Sequence, residues 1–221
     1  LSTHNGRPSA DLMRAQAGDD WFRRNLANRA PEQKLSPVET LIIHMLDKDD
    51  GENPRRLLEI GCSRGDRLVR IATNSKIDCF GIDPSPSAVE SGSTTFSLQN
   101  LKLEVGSSTL IPAADRSVDM VFFGWSLYCC NLQDFRQSMR EALRVLKVGG
   151  YLAILDFDHK GFAKKTPNAH HKGMSTYRRD YLRILGRRHH LISTIRLFED
   201  GWKVGRHENR RERLRFTVFG V

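Results

Sequence analysis

The sequence predicts an α/β fold built on a seven-stranded, mainly parallel sheet, and three observations predict it. From Arg55 onward, short apolar runs alternate with helix-like segments, which is the βαβ rhythm. The first run, "LLEIGCSRGD", breaks into two glycines set four apart, as a strand does when it turns sharply into a helix. In the last run Leu214, Phe216 and Val218 alternate with Arg213, Arg215 and Thr217, which fits a member of an antiparallel pair at a sheet edge better than a central parallel strand. At 221 residues the chain suffices for one such unit with a full core and is short for two.

Before residue 54 the pattern is helical. "SADLMRAQAGDDWFRRNLANRAPEQ" reads as one or two short amphipathic helices ending near Pro31. "SPVETLIIHMLDKDDG" reads as a helix with Ser36 as N-cap, Pro37 at its first position and Gly51 as its stop. These helices are expected to precede the core rather than build it, as a helical cap over residues 1–53 ahead of the main domain at 54–221. The strands then follow as RLLEIG, CFGID, LKLEVG, VDMVFFG and YLAILDF. Ser87 and Glu90 inside "DPSPSAVE" have capping-box spacing. After Asp158, "HKGFAKKTPNAHHKGMS" is polar and broken by Gly and Pro, a long loop or lid. "TYRRDYLRILG" reads as a helix closed by Gly186, and "HLISTIRLFED" and "RERLRFTVFGV" complete seven strands.

Composition narrows the class of function. No apolar run nears the roughly eighteen residues of a membrane span, and the first residues lack the apolar core of a signal peptide, so a soluble cytoplasmic protein is expected. Cys62, Cys79, Cys129 and Cys130 have neither zinc-site spacing nor the density of a secreted scaffold, which predicts reduced thiols and no metal. Residues 151–221 hold 16 Lys and Arg against 7 Asp and Glu, the whole of the formal excess of +9. That basic third raises the local concentration of anions and suits a phosphorylated, carboxylated or nucleic-acid partner, although a solvated charged face has the same composition.

A strand ending in Gly61 and a helix opening near Gly65 place backbone N–H groups and a helix N-terminus around a space with no Cβ in the way. Cys62 and Ser63 stand where a dinucleotide motif has its middle glycine, which disfavours a dinucleotide. Asp83, ending the next strand in "FGIDPS", can accept from both hydroxyls of a ribose, or can simply cap a helix. Glu59 lies inside an apolar strand, where a carboxylate must be hydrogen-bonded by turn amides or matched by a cation.

The series LLEIGCSRG, GIDPS, a turn from Gly106 to Thr109, DRSVDMVFFGWSLYC and REALRVLKVGGYLAILDF resembles the class I S-adenosylmethionine-dependent methyltransferases over roughly residues 55–158. The resemblance implies a Rossmann-like seven-stranded mixed sheet of order 3-2-1-4-5-7-6, last strand antiparallel, flanked by helices. It implies S-adenosyl-L-methionine as cofactor and S-adenosyl-L-homocysteine as product. By position, Glu59, Gly61, Cys62 and Gly65 would hold the methionine end and Asp83 the ribose. Pro84 and Ser85 would flank the adenine, and Gly124 and Trp125 would floor the methyl-transfer site. Many relatives carry an acidic residue after the third strand's glycine; here Ser107 and Ser108 would meet the adenine instead.

A sulfonium methyl is already activated, so the protein must align a lone pair and exclude water. A hydroxyl acceptor also needs a base, for which Tyr128, Asp156, Asp158, His159 and the pair His170 and His171 are candidates, the pair first because it lies in the lid segment. "GWSLYCCNLQDF" and "HHKGMSTYRRDY" are similar to methyltransferases of bacterial polysaccharide and sugar-modifying clusters, which implies a saccharide acceptor, anionic or nucleotide-linked. Lys164, Lys165, Lys172, Arg178 and Arg179 would suit that anion. Trp21, Phe22, Arg23 and Arg24 either close over the cofactor or form a packing stripe. A nucleic-acid methyltransferase is the alternative, opposed by only four Tyr and three Trp for stacking.

Overall fold

The computed structural model describes residues 10–26, 34–47, 54–157, 159, 164–168, 174–186, 189–198 and 213–221. The sheet is built from β1 (Arg56–Ile60), β2 (Asp78–Asp83), β3 (Leu101–Val105), β4 (Val118–Gly124), β5 (Leu146–Phe157), β8 (His190–Phe198) and β9 (Arg213–Gly220). Its order is β3-β2-β1-β4-β5-β9-β8, with β9 antiparallel to both of its neighbours and the remaining pairs parallel. Counted within the sheet alone, this is the expected 3-2-1-4-5-7-6.

Helices cover both faces, which is why the central strands are apolar on both sides. On one face α2 (Pro37–Leu46) and α3 (Asp66–Thr73) pack Val38, Ile42, Leu46, Leu68 and Ile71 against Leu57, Met120, Phe122 and Phe216. On the other, α5 (Leu132–Val145) and α6 (Tyr181–Leu185) pack Phe135, Met139, Ala142, Tyr181 and Leu185 against Leu58, Val121, Phe123, Ile154 and Phe219. So α2 is built into the core, contrary to the expectation that the helices before residue 54 only precede it. Its capping box is as expected: Ser36 and Glu39 bond each other's backbone N–H and Pro37 opens the helix.

Three local expectations are corrected. The cap of α4 (Pro86–Thr95) is Ser85, accepting from Ala88 N, because Pro86 starts the helix one residue before Ser87. The segment expected as a loop contains β6 (Lys164–Pro167), paired with β7 (Ser175–Arg178) in a hairpin outside the sheet. Residues 175–178 are therefore strand, and the helix begins only where Asp180 caps it. As expected, β8 and β9 form an antiparallel pair at the sheet edge, and because β9 is the inner member of that pair, Arg215 and Thr217 are buried along with Phe216 and Val218. Among the described residues no helix is long and apolar enough to cross a membrane.

Candidate active site

Five residues, 61–65, turn the end of β1 into α3. Gly61 and Gly65 take φ of +81° and +82°, and Ser63 takes +52°. Only glycine enters that region freely; Ser63 gives up about 1 kcal/mol to do so. The turn is held from β2. Gly61 N and Cys62 N both donate to Ile82 O at 2.8 and 3.2 Å, and Ser63 N donates to Asp83 Oδ2 at 2.7 Å. The amides of Gly61 and Cys62 therefore brace the turn instead of facing a ligand, which corrects the expectation that they ring the cavity. What Gly61 contributes is space: a Cβ there would lie 2.6 Å from the Cβ of Ser126 in the turn after β4.

Asp83 is buried at the end of β2, with Oδ1 accepting from Ser85 N at 2.9 Å. Two charge-assisted bonds from the flanking turns aim this carboxylate. Pro84, half-buried, continues the same turn. Ser85, Ser107 and Ser108 do not offer free hydroxyls. Ser85 Oγ caps α4 and donates to Asp19 Oδ1 at 2.5 Å; Ser107 Oγ is 2.9 Å from Thr109 Oγ1; Ser108 Oγ accepts from Ser138 at 2.7 Å.

Glu59 is 1% exposed, yet one of its oxygens, Oε2, has no hydrogen-bond partner. The other accepts from Arg67 Nη1. Burial raises the Glu59 pKa, and Arg67 opposes that rise. Gly124 lies against this pair, since a Cβ there would come within 2.7 Å of Glu59 Oε1. An orphaned buried oxygen beside backbone bare of side chains is what a donor-bearing ligand such as the methionine end of S-adenosylmethionine would complete, so these residues fit that cofactor. Arg67 carries no signal in the sequence beyond its place on a helix.

Trp125 follows with φ of +62°, and its ring meets Phe157 edge-on at 5.2 Å. Tyr128 also meets Phe157 edge-on, at 5.4 Å, and the Arg178 guanidinium lies 4.6 Å over the same ring. Phe157 was not foreseen as a site residue; only its place at the end of the fifth strand hints at it. Desolvation raises the Tyr128 phenol, which therefore keeps its proton at neutral pH.

Asp156 was expected as a candidate base, but its side chain is 1% exposed and wholly engaged. It accepts from Tyr128 N at 2.9 Å, Phe157 N at 2.7 Å and Tyr181 Oη at 3.2 Å. It braces the turn that carries Tyr128. Arg179, 2% exposed, holds the same turn by donating to Leu127 O at 3.1 Å and Cys130 O at 2.5 Å. Burial lifts the Asp156 carboxyl to about 7 against its donated bonds and Arg179. Its unfolded counterpart releases the proton near 3.8, so the stability it contributes is complete below about pH 4 and is lost as pH rises through 7. Wild-type unfolding free energy is expected to fall by about 1 kcal/mol from pH 6.5 to 8, and Asp156→Asn to flatten that fall. Urea titrations at each pH check this; an equal slope in both proteins would exclude Asp156 as its source. Asp158, His170, His171 and Lys172 lie outside the described residues, and His159 lies just beyond β5.

Helix α1 (Ala10–Leu26) spans the sheet's carboxyl edge. Asp19 accepts from Ser85 Oγ and, at 3.2 Å, from Ser87 N at the start of α4, while Arg14 pairs with Asp134 at 2.6 Å in the first turn of α5. Those helix starts flank the Gly61 turn from opposite faces. Phe22 points inward and Trp21 is 39% exposed, so the aromatic pair divides between packing and surface.

Comparison with known proteins gives the arrangement its context. Residues 58–154 match the family model described as a methyltransferase domain. Ajmaline N-methyltransferase of Rauvolfia serpentina is 30% identical over 127 residues, 55% of this chain and 43% of that protein. The 27-O-demethylrifamycin SV methyltransferase of Amycolatopsis mediterranei (strain S699) is 29% identical over 156 residues, 67% of this chain and 55% of that one. The chain spans about half the length of the curated relatives it matches. Among solved structures, the Burkholderia thailandensis 1,6-didemethyltoxoflavin-N1-methyltransferase with bound 1,6-didemethyltoxoflavin and S-adenosylhomocysteine superposes with a TM-score of 0.68 at 10% identity. That match covers 100% of this chain and 92% of the other.

Proposed function

We propose, from the premise that residues 58–154 form a class I S-adenosylmethionine-dependent methyltransferase domain, that the protein is an enzyme moving a methyl group to an oxygen or nitrogen of a small acceptor. The observation that carries this reading is the Asp83 carboxylate, fixed by the Ser63 and Ser85 amides beside a turn whose glycines leave room for a ligand. S-adenosylmethionine, when bound, supplies an electrophilic methyl group. Asp83 would hold the ribose hydroxyls, and Glu59 would take the ammonium group of the methionine end. Gly124 and Trp125 would floor the transfer site, with α1 as a roof that keeps water out.

On the acceptor side, Trp125, Tyr128 and Phe157 favour a ring, and Arg178 with Lys164 and Lys165 favours an anionic group on it. A nucleotide-linked saccharide is one acceptor of that kind; the basic residues of the β6–β7 hairpin support it, and none of the named relatives is a saccharide enzyme by name. Tyr128, as a protonated phenol, would orient the acceptor. A proton released from a hydroxyl acceptor would go to His170 or His171. A cytoplasmic setting belongs to the same proposal and is supported only by composition.

Isothermal titration with S-adenosylhomocysteine is expected to show saturable binding at one site per chain, and no heat at high protein concentration would sink the reading. Acceptor binding measured across a salt series separates the acceptor classes. Loss of several decades between low and moderate salt would mark a nucleic acid, and a near-constant affinity a small molecule.

A further inference from the structure

Glu59 and Arg67 are oppositely charged, adjacent and incompletely matched. The pair makes a single end-on bond through Oε1, leaving Oε2 buried and unmatched, whereas two side chains serving only to hold the fold would gain by closing both oxygens in a bidentate fork. Arg67 has a side-chain exposure of 18%, rests 5.1 Å over the Phe122 ring and lies 3.9 Å from Glu39. Glu39 needs nothing more from it, because Arg70 already binds that carboxylate at 2.6 Å. The guanidinium and the carboxylate both press on Gly124, so the pair forms the wall of the bare-backbone gap between the β1 and β4 turns.

We infer that Arg67 binds the carboxylate of the cofactor's amino-acid end while Glu59 binds its ammonium group. The inference rests on the cofactor reading above and adds a residue to it. An α-amino acid end carries one charge of each sign. Its arrival exchanges one internal ion pair for two pairs with the ligand, and no charge is left buried alone in either state. Hydrogen bonding of the ammonium to Oε2 also satisfies the orphaned oxygen. The ribose site at Asp83 is independent of this exchange, which makes the two halves of the ligand separable.

The test compares S-adenosylhomocysteine with 5′-methylthioadenosine, which shares the nucleoside and lacks the amino acid, by calorimetry on the full chain. Arg67→Met is expected to weaken S-adenosylhomocysteine roughly 10- to 100-fold and to leave 5′-methylthioadenosine within about twofold, with Arg67→Lys recovering part of the loss. Should Arg67→Met fail to fold with Glu59 left unpaired, the double variant Glu59→Gln/Arg67→Met is compared with Glu59→Gln alone, and a further loss for S-adenosylhomocysteine but not for 5′-methylthioadenosine is expected of it. Equal losses for both ligands, or an unchanged affinity for S-adenosylhomocysteine, would overturn the inference alone. Failure of the unmodified protein to bind either ligand would overturn the cofactor reading and this inference with it.

Discussion

Gly61→Ala is expected to lower the unfolding free energy by about 2–5 kcal/mol and to remove S-adenosylhomocysteine binding. Two costs add. The backbone at +81° disfavours any Cβ by roughly 1–2 kcal/mol, and the new atom would lie 2.6 Å from Ser126 Cβ, an overpacking worth roughly 1–3 kcal/mol. Ser126 cannot swing away freely, because its Oγ donates to Ile60 O at 2.8 Å and stitches the two turns together. Ser126→Gly in the same chain relieves the overlap but not the backbone strain. The double variant should therefore lose less than the sum of the singles, by about 1–3 kcal/mol in urea denaturation. Strict additivity would mean that the turns after β1 and β4 do not touch, and the proposed pocket would lose its wall.

Asp83→Ala is expected to weaken S-adenosylhomocysteine by about 2–3 kcal/mol, roughly 30- to 150-fold, in calorimetry. Its carboxylate is bonded to Ser63 N and Ser85 N, so alanine removes the proposed ribose acceptor and frees both turns at once. Ser63 would then hold its φ of +52° without its anchor. Asp83→Asn keeps one acceptor oxygen but sets an N–H₂ against one of those amides, and should fall between alanine and wild type. Wild-type affinity in the alanine variant would remove Asp83 from the site.

Much of the sheet was legible because strand periodicity and glycine placement are local properties. The five apolar runs from RLLEIG to YLAILDF fall where β1 to β5 lie, and Asp83 stands beside the Gly61 turn as its position after the second run predicts. The hairpin at 164–178 escaped notice because its apolar content is low; cross-strand pairing such as Thr166 with Thr176 at 2.7 Å stabilises it, and that pairing depends on a partner ten residues away. Candidate bases were harder still. Asp156 reads identically in sequence whether it faces an acceptor or lies under Tyr128 N, and only burial and three converging donors distinguish the brace from the base.

The sequence by itself determined the α/β rhythm, the glycine turn and the acidic residue beyond the second strand, because each follows from the conformational range or spacing of neighbouring residues. Tertiary structure alone decided that Arg67 meets Glu59, that Asp19 caps the start of α4, that α2 joins the core, and that the amides of Gly61 and Cys62 are bound by Ile82. Those outcomes depend on which distant groups burial brings within reach of one another. A buried charge or amide takes the nearest partner that satisfies it, and the identity of that partner is a property of the packed chain.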